Sequence, residues 1–276
     1  MEVYSDVLCA LGEGPLGHPE RKQLFWFDIL GMRLFAKGHD NSGGGWQFDE
    51  YVSAAGWVDR DTLLMASATG LWRYTIGTVA RELVVPLEAD NPVTRSNDGR
   101  ADPQGGFWIG TMGIKAEAYA GASYRYYKGE LRQLFDRITI ANAICFAPDG
   151  RTAYFADTVS RRIQRVALDA EGWPAAEPEV FVDLRAAALN PDGAVVDSAG
   201  NLWNAQWGAG RVACYAPDGT FLRAVSVPTS QTTCPAFEGT TLYVTTAADG
   251  LRDPNAGLTY AADVGVTGQQ EHRVIL

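Results

Sequence analysis

Short runs of apolar and aromatic residues, each preceded by a polar turn, recur along the chain. The runs begin at six positions that lie 39 to 49 residues apart, namely Leu24, Leu63, Phe107, Ala153, Leu202 and Leu242. The segments between them are short, rich in valine, isoleucine and aromatic residues, and interrupted by Asp-Gly and Glu-Gly turns, which is typical of strands. No window repeats its apolar residues with the roughly 3.6-residue period of an amphipathic helix. The pattern therefore predicts an all-β chain of six repeats.

The repeat length indicates how these strands are arranged. A unit of roughly 40 to 50 residues is the length of a four-stranded propeller blade, and radial repetition protects the edges of small sheets. We therefore predict a six-bladed β-propeller with four-stranded antiparallel blades around a central channel, formed by residues 1–276 as a single domain. A long β-sandwich, or two small barrels, is the alternative arrangement of the same strands.

The composition is that of a folded protein that turns often and buries many aromatic rings. The 276 residues include 30 glycines, 8 tryptophans, 11 tyrosines and 11 phenylalanines, and 46% of the chain is hydrophobic. Disorder and collagen-like order are thereby excluded. The 33 acidic and 23 basic residues give a formal charge of −10, which argues against nucleic-acid binding, because phosphate contacts need clustered lysine and arginine.

Neither the amino terminus nor any apolar run resembles a targeting or membrane segment. Residues 1–12 lack a basic stretch followed by an apolar core, and no apolar run approaches the roughly 20 residues that span a bilayer. The four cysteines, Cys9, Cys145, Cys214 and Cys234, lie too far apart for a zinc site or a redox dithiol and are expected to be buried and reduced. We expect a cytoplasmic protein without a membrane partner, either a monomer or a weak homo-oligomer.

Polar residues occupy one equivalent position in every repeat. Ten or eleven residues before each apolar run stands an oxygen-bearing side chain: Glu13, Ser53, Asn97, Asn142, Asp192 and Thr232. The innermost strands of a propeller line its channel, so these positions are expected to converge on the axis. Two buried carboxylates and two amides need a compensating cation. Oxygen donors without histidine or cysteine favour Ca²⁺, Mg²⁺ or Mn²⁺ over structural zinc.

Each of these positions also has a purely structural interpretation. Residues 190–193, Asn-Pro-Asp-Gly, could form a type I turn, and residues 12–15 could be a flexible entry to the first blade. Asn142 could be a hydrogen-bonded core amide. Their shared register favours the axial site.

Other polar residues are expected to be structural. Asp28 and Asp157 follow apolar runs in parallel contexts and are predicted to cap turns. His18, His39 and His272 show no ligand or triad spacing and are predicted to be surface or turn residues. A Gly-x-Ser-x-Gly elbow and a phosphate-binding glycine loop are both absent from the sequence.

Five motifs in order resemble the gluconolactonase and regucalcin (senescence marker protein) family, from about residue 8 to residue 250. They are residues 11–15 (LGEGP), 95–103 (RSNDGRADP), 108–112 (WIGTM), 140–142 (IAN) and 191–194 (PDGA). The resemblance implies a six-bladed propeller with one divalent ion on the axis, which hydrolyses a small-molecule sugar lactone. Ca²⁺ is the first expectation for that ion, with Zn²⁺, Mg²⁺ and Mn²⁺ as alternatives.

The resemblance also assigns individual residues. It implies metal ligation by Glu13, Asn142 and Asp192, and substrate contacts by Arg95 and Asn97, two residues apart on one strand. The chain departs from the family at the residues after Gly-Thr-Met. Some animal members have acidic residues there that touch the sugar, whereas this chain has Lys115. Lys115 would place a cation at this substrate-binding position in place of an acceptor, so the substrate could differ in its hydroxyl pattern or be acidic.

These assignments lead to a hypothesis for the mechanism. A divalent ion would polarise the lactone carbonyl, and Asp192 would take a proton from the attacking water as general base. Glu13 would chiefly balance charge, and Arg95 and Asn97 would orient oxygens. Trp207 and Gln206 could border the mouth or, equally, have a packing role. The alternatives are a non-catalytic calcium-binding propeller, a related propeller esterase and a strictosidine-synthase-like enzyme, because one fold supports many functions.

Overall fold

Six sheets of four antiparallel strands make up the described part of the computed structural model, which covers residues 1–40, 42–78 and 80–276. Blade 1 lies within residues 12–47, blade 2 within 52–86, blade 3 within 94–138, blade 4 within 141–183 and blade 5 within 190–226. Blade 6 combines three strands within residues 232–263 with the first strand, residues 2–5, which completes the last sheet. The prediction of a six-bladed propeller with four-stranded blades is confirmed.

The strands are β1 Glu2–Ser5, β2 Gly12–His18, β3 Gln23–Asp28, β4 Arg33–Gly38, β5 Gly43–Gln47, β6 Val52–Asp59, β7 Thr62–Ser67, β8 Gly70–Thr75, β9 Arg81–Pro86, β10 Thr94–Ala101, β11 Phe107–Gly113, β12 Gly121–Tyr127, β13 Glu130–Ile138, β14 Ala141–Phe146, β15 Thr152–Asp157, β16 Arg162–Ala167, β17 Glu179–Asp183, β18 Asn190–Val196, β19 Leu202–Trp207, β20 Arg211–Tyr215, β21 Phe221–Ser226, β22 Thr232–Glu238, β23 Thr241–Thr246 and β24 Thr259–Asp263. One 3-10 turn, Thr158–Ser160, is the helical element of the described residues. No helix in the described ranges is both long and apolar enough to cross a membrane.

Apolar clusters between neighbouring blades hold the ring together. The six predicted apolar runs coincide with the second strand of each blade, and these strands are almost fully buried. Phe25 and Phe27 of blade 1 pack with Leu63 and Met65 of blade 2, and each of the other five blade boundaries has a cluster of the same kind. Because burial of apolar area is the main favourable term in folding, the repeated run is what fixes the ring.

The two predicted turn caps, Asp28 and Asp157, connect turns to the inner strands. Asp28 Oδ1 accepts hydrogen bonds from the backbone N–H groups of Leu11 and Gly31. Asp157 Oδ1 accepts the N–H of Ile140 in the same way. Both carboxylates therefore fasten the beginning of an inner strand to the turn after the second strand, which fits their predicted structural role.

The predictions for the cysteines and for His18 have different outcomes. All four cysteines are buried and free, as predicted. The expectation of a surface or turn position is wrong for His18, which is only 1% exposed. Its ring packs beside Trp57, and its nitrogens contact the Asp59 carbonyl and the Arg21 N–H, so burial leaves neither nitrogen unpaired.

A carboxyl-terminal segment, residues 264–276, runs across the face of the ring where the inner strands end. Gln269 Nε2 donates to the carbonyls of Phe146 and Val196, at the ends of two inner strands. Glu271 forms an ion pair with Arg100, with only 9% of the arginine side chain and 6% of the glutamate side chain exposed. Burial lowers the pKa of Arg100, but the Glu271 carboxylate outweighs this effect and raises it. The segment thus closes one end of the channel.

Removing the Glu271 carboxylate is expected to destabilise the protein strongly. Glu271→Ala leaves the Arg100 guanidinium buried without its partner, which typically costs about 3 to 5 kcal/mol. Urea unfolding measures the loss. Gln270→Ala, at the exposed neighbouring position, is the control and should change stability by less than about 0.5 kcal/mol. Equal stability of the two variants would contradict a closing role for the ion pair.

Candidate active site

Every inner strand carries a β-bulge at its axial polar residue. In blade 4, Asn142 pairs with Ala156 while Cys145 pairs with Tyr154, so the inner strand has one residue more than its partner. The same irregularity occurs at the equivalent point of the other five inner strands. A bulge bends the strand and redirects a side chain. The six bulges explain why residues in one sequence register all reach the interior.

The predicted axial residues are buried, and four of them meet in one cavity. Glu13, Asn97, Asn142 and Asp192 line a cavity of about 160 Å³ at the ends where the inner strands begin. Ser53 and Thr232 are also fully buried, but they do not line it. The remaining wall is formed by two polar residues, Arg95 and Thr158, and four apolar residues, Leu11, Met112, Ile140 and Trp207.

The two carboxylates of the cavity are electrostatically costly. Burial raises the pKa of Glu13 well above its usual range, and the nearby Asp192 charge raises it further. Burial also raises the pKa of Asp192, with a contribution from Asp98. Each carboxylate accepts one backbone N–H, from Gly14 and Gly193 respectively, and its second oxygen has no hydrogen-bond partner among the described residues. The site therefore favours a positive charge between these oxygens.

A chain of hydrogen bonds fixes the amides and the arginine. Arg95 Nη1 donates to Asn97 Oδ1 at 2.8 Å, and Asn97 Nδ2 donates to Asn142 Oδ1 at 3.3 Å. Asn142 Nδ2 donates to Thr158 Oγ1, which donates to the Pro191 carbonyl beside Asp192. The chain crosses blades 3, 4 and 5, and its polarity directs the oxygen of Asn142, not its NH₂ group, towards Asn97.

Arg95 retains hydrogen-bonding capacity for a ligand. Its buried Nε has no hydrogen-bond partner within the part of the chain that the structure describes. Burial lowers the pKa of Arg95 to about 10, although Glu13 partly offsets this effect. A guanidinium with a pKa of about 10 is still protonated at neutral pH. The buried donor beside the cavity suits an oxygen-rich ligand, because a donor left unpaired costs free energy.

The donor set fits a hard divalent cation. Two carboxylates and one amide oxygen, Glu13, Asp192 and Asn142, are the ligands that Ca²⁺, Mg²⁺ and Mn²⁺ accept, with water completing the shell. No group of three or more histidine, cysteine, aspartate or glutamate side chains in the described residues clusters as a metal site. The assignment of a metal site therefore depends on counting the Asn142 amide oxygen as a ligand and on the uncompensated negative charge of Glu13 and Asp192.

Three other predicted residues lie in different surroundings. Trp207 lines the cavity, as expected for a residue at the mouth. Gln206 has the packing role that was the alternative to a place at the mouth, because its side chain is fully buried and bonds to Tyr215 and Arg211 inside the blade. Lys115 is exposed in the turn between β11 and β12, and it is not one of the residues that line the cavity.

Asp98 was not predicted from the sequence. This carboxylate is buried next to Asn97, and burial raises its pKa to about 6. Strict alternation along a strand directs residue 98 away from the side that residue 97 faces, so Asp98 gave no signal as an axial residue. The bulge between Ser96 and Gly99 breaks that alternation.

The fold and the cavity define a six-bladed propeller with an oxygen-donor site on its axis. Residues 11–248 match the family model of the SMP-30/gluconolactonase/LRE-like region. The structure superimposes with a TM-score of 0.97 on a crystal structure described as a calcium-binding protein, regucalcin, from Agrobacterium tumefaciens, at 40% identity over 99% of this chain and 97% of that one.

Two curated relatives are also similar over nearly the whole chain. An L-arabinolactonase of Azospirillum brasilense is 36% identical, over 98% of this chain and 94% of its own length. A pentonolactonase of Haloferax volcanii is 34% identical, over 97% of this chain and 96% of its own length. The chain belongs to the SMP-30/gluconolactonase/LRE-like family, as the motifs predicted.

Proposed function

We propose that this protein hydrolyses a sugar lactone to the corresponding aldonic acid, with one divalent ion held by Glu13, Asn142 and Asp192. The proposal is carried by the juxtaposition of an acidic pair with the Arg95 and Asn97 donors in one small cavity. The names of the relatives, an L-arabinolactonase and a pentonolactonase, support the same substrate class. The metal dependence and the particular sugar belong to the proposal.

When bound, a divalent ion supplies Lewis-acid polarisation of the carbonyl and stabilisation of the developing oxyanion. Asp192 takes the proton of the attacking water through its carboxylate, one oxygen of which accepts the Gly193 N–H. Burial raises the pKa of Asp192 in the metal-free protein, and a bound cation would favour its charged form, which is the form that accepts a proton. The residue thus combines ligation and proton transfer.

The other cavity residues orient the ring. Arg95 and Asn97 contact hydroxyl or ring oxygens, and Arg95 offers a rigid set of donors. Leu11, Met112 and Trp207 provide an apolar wall that displaces water from the reacting carbonyl. The cavity is small, about 160 Å³, which suits a single sugar ring.

A panel of substrates tests this function. Five- and six-carbon aldonolactones and one simple aryl ester are assayed with and without divalent metal. The proposal expects metal-dependent hydrolysis of at least one aldonolactone. Hydrolysis of the aryl ester alone would favour a related propeller esterase.

A non-catalytic calcium-binding propeller is the second candidate. It is favoured by the acidic axial pair and by the calcium-binding description of the similar Agrobacterium structure. This candidate expects calcium binding without turnover of any substrate in the panel. Isothermal titration with Ca²⁺, run beside the assays, separates the two candidates.

The metal-free protein is expected to lose stability as the pH rises, relative to a variant without the axial charges. The pKa values of Glu13 and Asp192 are raised by folding, so the stability they contribute is complete below their unfolded pKa values near 4. That stability is lost as the pH rises through their folded-state values. A divalent ion at about 100 times its Kd should restore about 2.7 kcal/mol, which is roughly 5 to 10 °C in Tm.

Thermal unfolding between pH 5 and pH 8, with chelator or with Ca²⁺, measures both effects. The control is the double variant Glu13→Gln/Asp192→Asn, which lacks both carboxylates and should lose the metal-induced rise in Tm. Its Tm should also fall less with pH than that of the wild-type protein. An equal rise with Ca²⁺ in both proteins would place the bound ion elsewhere.

A further inference from the structure

Asp98 is a buried acid that the proposed ligand set does not use. Its Oδ2 accepts the backbone N–H of Ile144 at 2.7 Å, across the boundary between blades 3 and 4. Only 4% of Asp98 is exposed, and Ile144 is fully buried, so water has little access to this hydrogen bond. A charged acceptor makes such a bond shorter and stronger than a neutral one.

The N–H that Asp98 accepts belongs to the bulge of blade 4. Ala143, between Asn142 and Ile144, has a φ of +58°, in the left-handed region that side chains with a Cβ rarely adopt. Blade 1 adopts the same conformation at the equivalent position after Glu13, where Gly14 has a φ of +54°. Blade 4 therefore holds with an alanine a backbone conformation for which blade 1 uses glycine.

Such a conformation persists only when the surroundings impose it. Two adjacent residues of blade 3, Asn97 and Asp98, impose this conformation by hydrogen bonds on both sides of Asn142. Asn97 Nδ2 donates to the Ala141 carbonyl at 2.9 Å and to Asn142 Oδ1, and Asp98 accepts the Ile144 N–H. Backbone atoms before and after Asn142, and its side-chain oxygen, are thus all fixed by blade 3.

We propose that Asp98 is a positioning residue that holds the left-handed bulge at Ala143 and thereby directs Asn142 Oδ1 to the axis. The proposal rests on the proposed function in taking Asn142 as a metal ligand. Residues that orient metal ligands typically contribute 10- to 100-fold to metal affinity or activity. Asp98 would act in this way through the backbone of a neighbouring blade.

The test combines two substitutions at Asp98 with a relaxed backbone at residue 143. Asp98→Ala removes the acceptor and is expected to lower Ca²⁺ affinity about 10- to 100-fold. Asp98→Asn retains an acceptor oxygen for Ile144 and should keep most of that affinity. Ala143→Gly allows the left-handed conformation without penalty, so it should recover a large part of the affinity of Asp98→Ala. Isothermal titration with Ca²⁺ and kcat for a turned-over lactone are the readouts.

Ala54→Gly provides the matched control. Ala54 follows the axial residue of blade 2, is buried like Ala143, and is not among the residues with positive φ. Combined with Asp98→Ala, it should recover no affinity. Equal losses in Asp98→Ala and Asp98→Asn, with no recovery by Ala143→Gly, would overturn the proposal and assign Asp98 a role through its charge alone.

Unfolding in urea, without metal, keeps this test separate from the proposed function. Ala143→Gly should stabilise Asp98→Ala less than it stabilises the wild-type protein, because the strain at Ala143 is already relieved once Asp98 no longer imposes the left-handed conformation, and a double-mutant cycle measures this difference directly. Additive effects would overturn the positioning role even in a protein that binds Ca²⁺. Coupling in a protein that neither binds Ca²⁺ nor turns over a lactone would instead support the positioning role and refute the proposed function.

Discussion

Asp192→Asn is expected to lower kcat for lactone hydrolysis by about 10²- to 10⁴-fold, the usual contribution of a general base. The amide has nearly the same shape and keeps an acceptor for the Gly193 N–H, so the bulge should survive. It cannot take a proton from water at neutral pH. Steady-state kinetics at increasing metal concentration, with far-ultraviolet circular dichroism to verify folding, measure the effect. Asp192→Ala should be inactive and still β-rich.

Glu13→Gln separates ligation from proton transfer. Both variants remove one axial carboxylate, and both should weaken metal binding. Because Glu13 is assigned only to ligation, its variant should regain most of its kcat at saturating metal, whereas Asp192→Asn should not. Wild-type kcat in Asp192→Asn at saturating metal would remove Asp192 from the role of base.

Exhaustive chelation is expected to abolish activity, and added divalent metal should restore it. The buried carboxylates repel each other, and Arg95 donates to the Ser96 carbonyl and to Asn97, so we expect the catalytic arrangement to depend on a cation. Activity should fall in proportion to the metal removed, as measured by elemental analysis. Parallel additions of Ca²⁺, Mg²⁺, Mn²⁺ and Zn²⁺ rank the ions.

The control for this experiment is the chelator already saturated with Ca²⁺, which should leave activity unchanged. Loss of activity with that reagent would indicate an effect other than metal removal. Full activity in a protein shown to be metal-free would exclude the metal mechanism, and Asp192 would then have to act without a Lewis acid.

The ring and its axial residues were predictable because they follow from local rules that repeat. Each blade needs one fully buried strand, and a hairpin of nearly constant length separates that strand from the inner one. Counting back from Leu202 therefore reaches Asp192, and counting back from Ala153 reaches Asn142. The expected burial of two carboxylates also led to the prediction of a cation there, because their charge requires a partner.

Features that depend on distant or irregular contacts were not predictable. The buried state of His18 follows from Trp57, which comes from another blade. The role of Asp98 depends on a bulge that breaks the alternation on which strand reasoning relies. The channel-closing segment has no repeat, and the partner of Glu271 lies 171 residues away in sequence. None of these contacts produces a periodic pattern in the sequence.

The completion of blade 6 by the first strand has a consequence for biosynthesis. Glu2 pairs with Ala261, so the ring cannot close until residues near 261 have left the ribosome. Until then the emerging strands form an open arc with uncovered blade faces, which is the kind of intermediate that chaperones bind. Asp192 leaves the ribosome before the ring closes. The apolar cluster between blades 6 and 1 forms only when the ring closes. We therefore expect a ribosome-bound chain truncated before β24 to be protease-sensitive, and release of the complete chain to make the ring resistant.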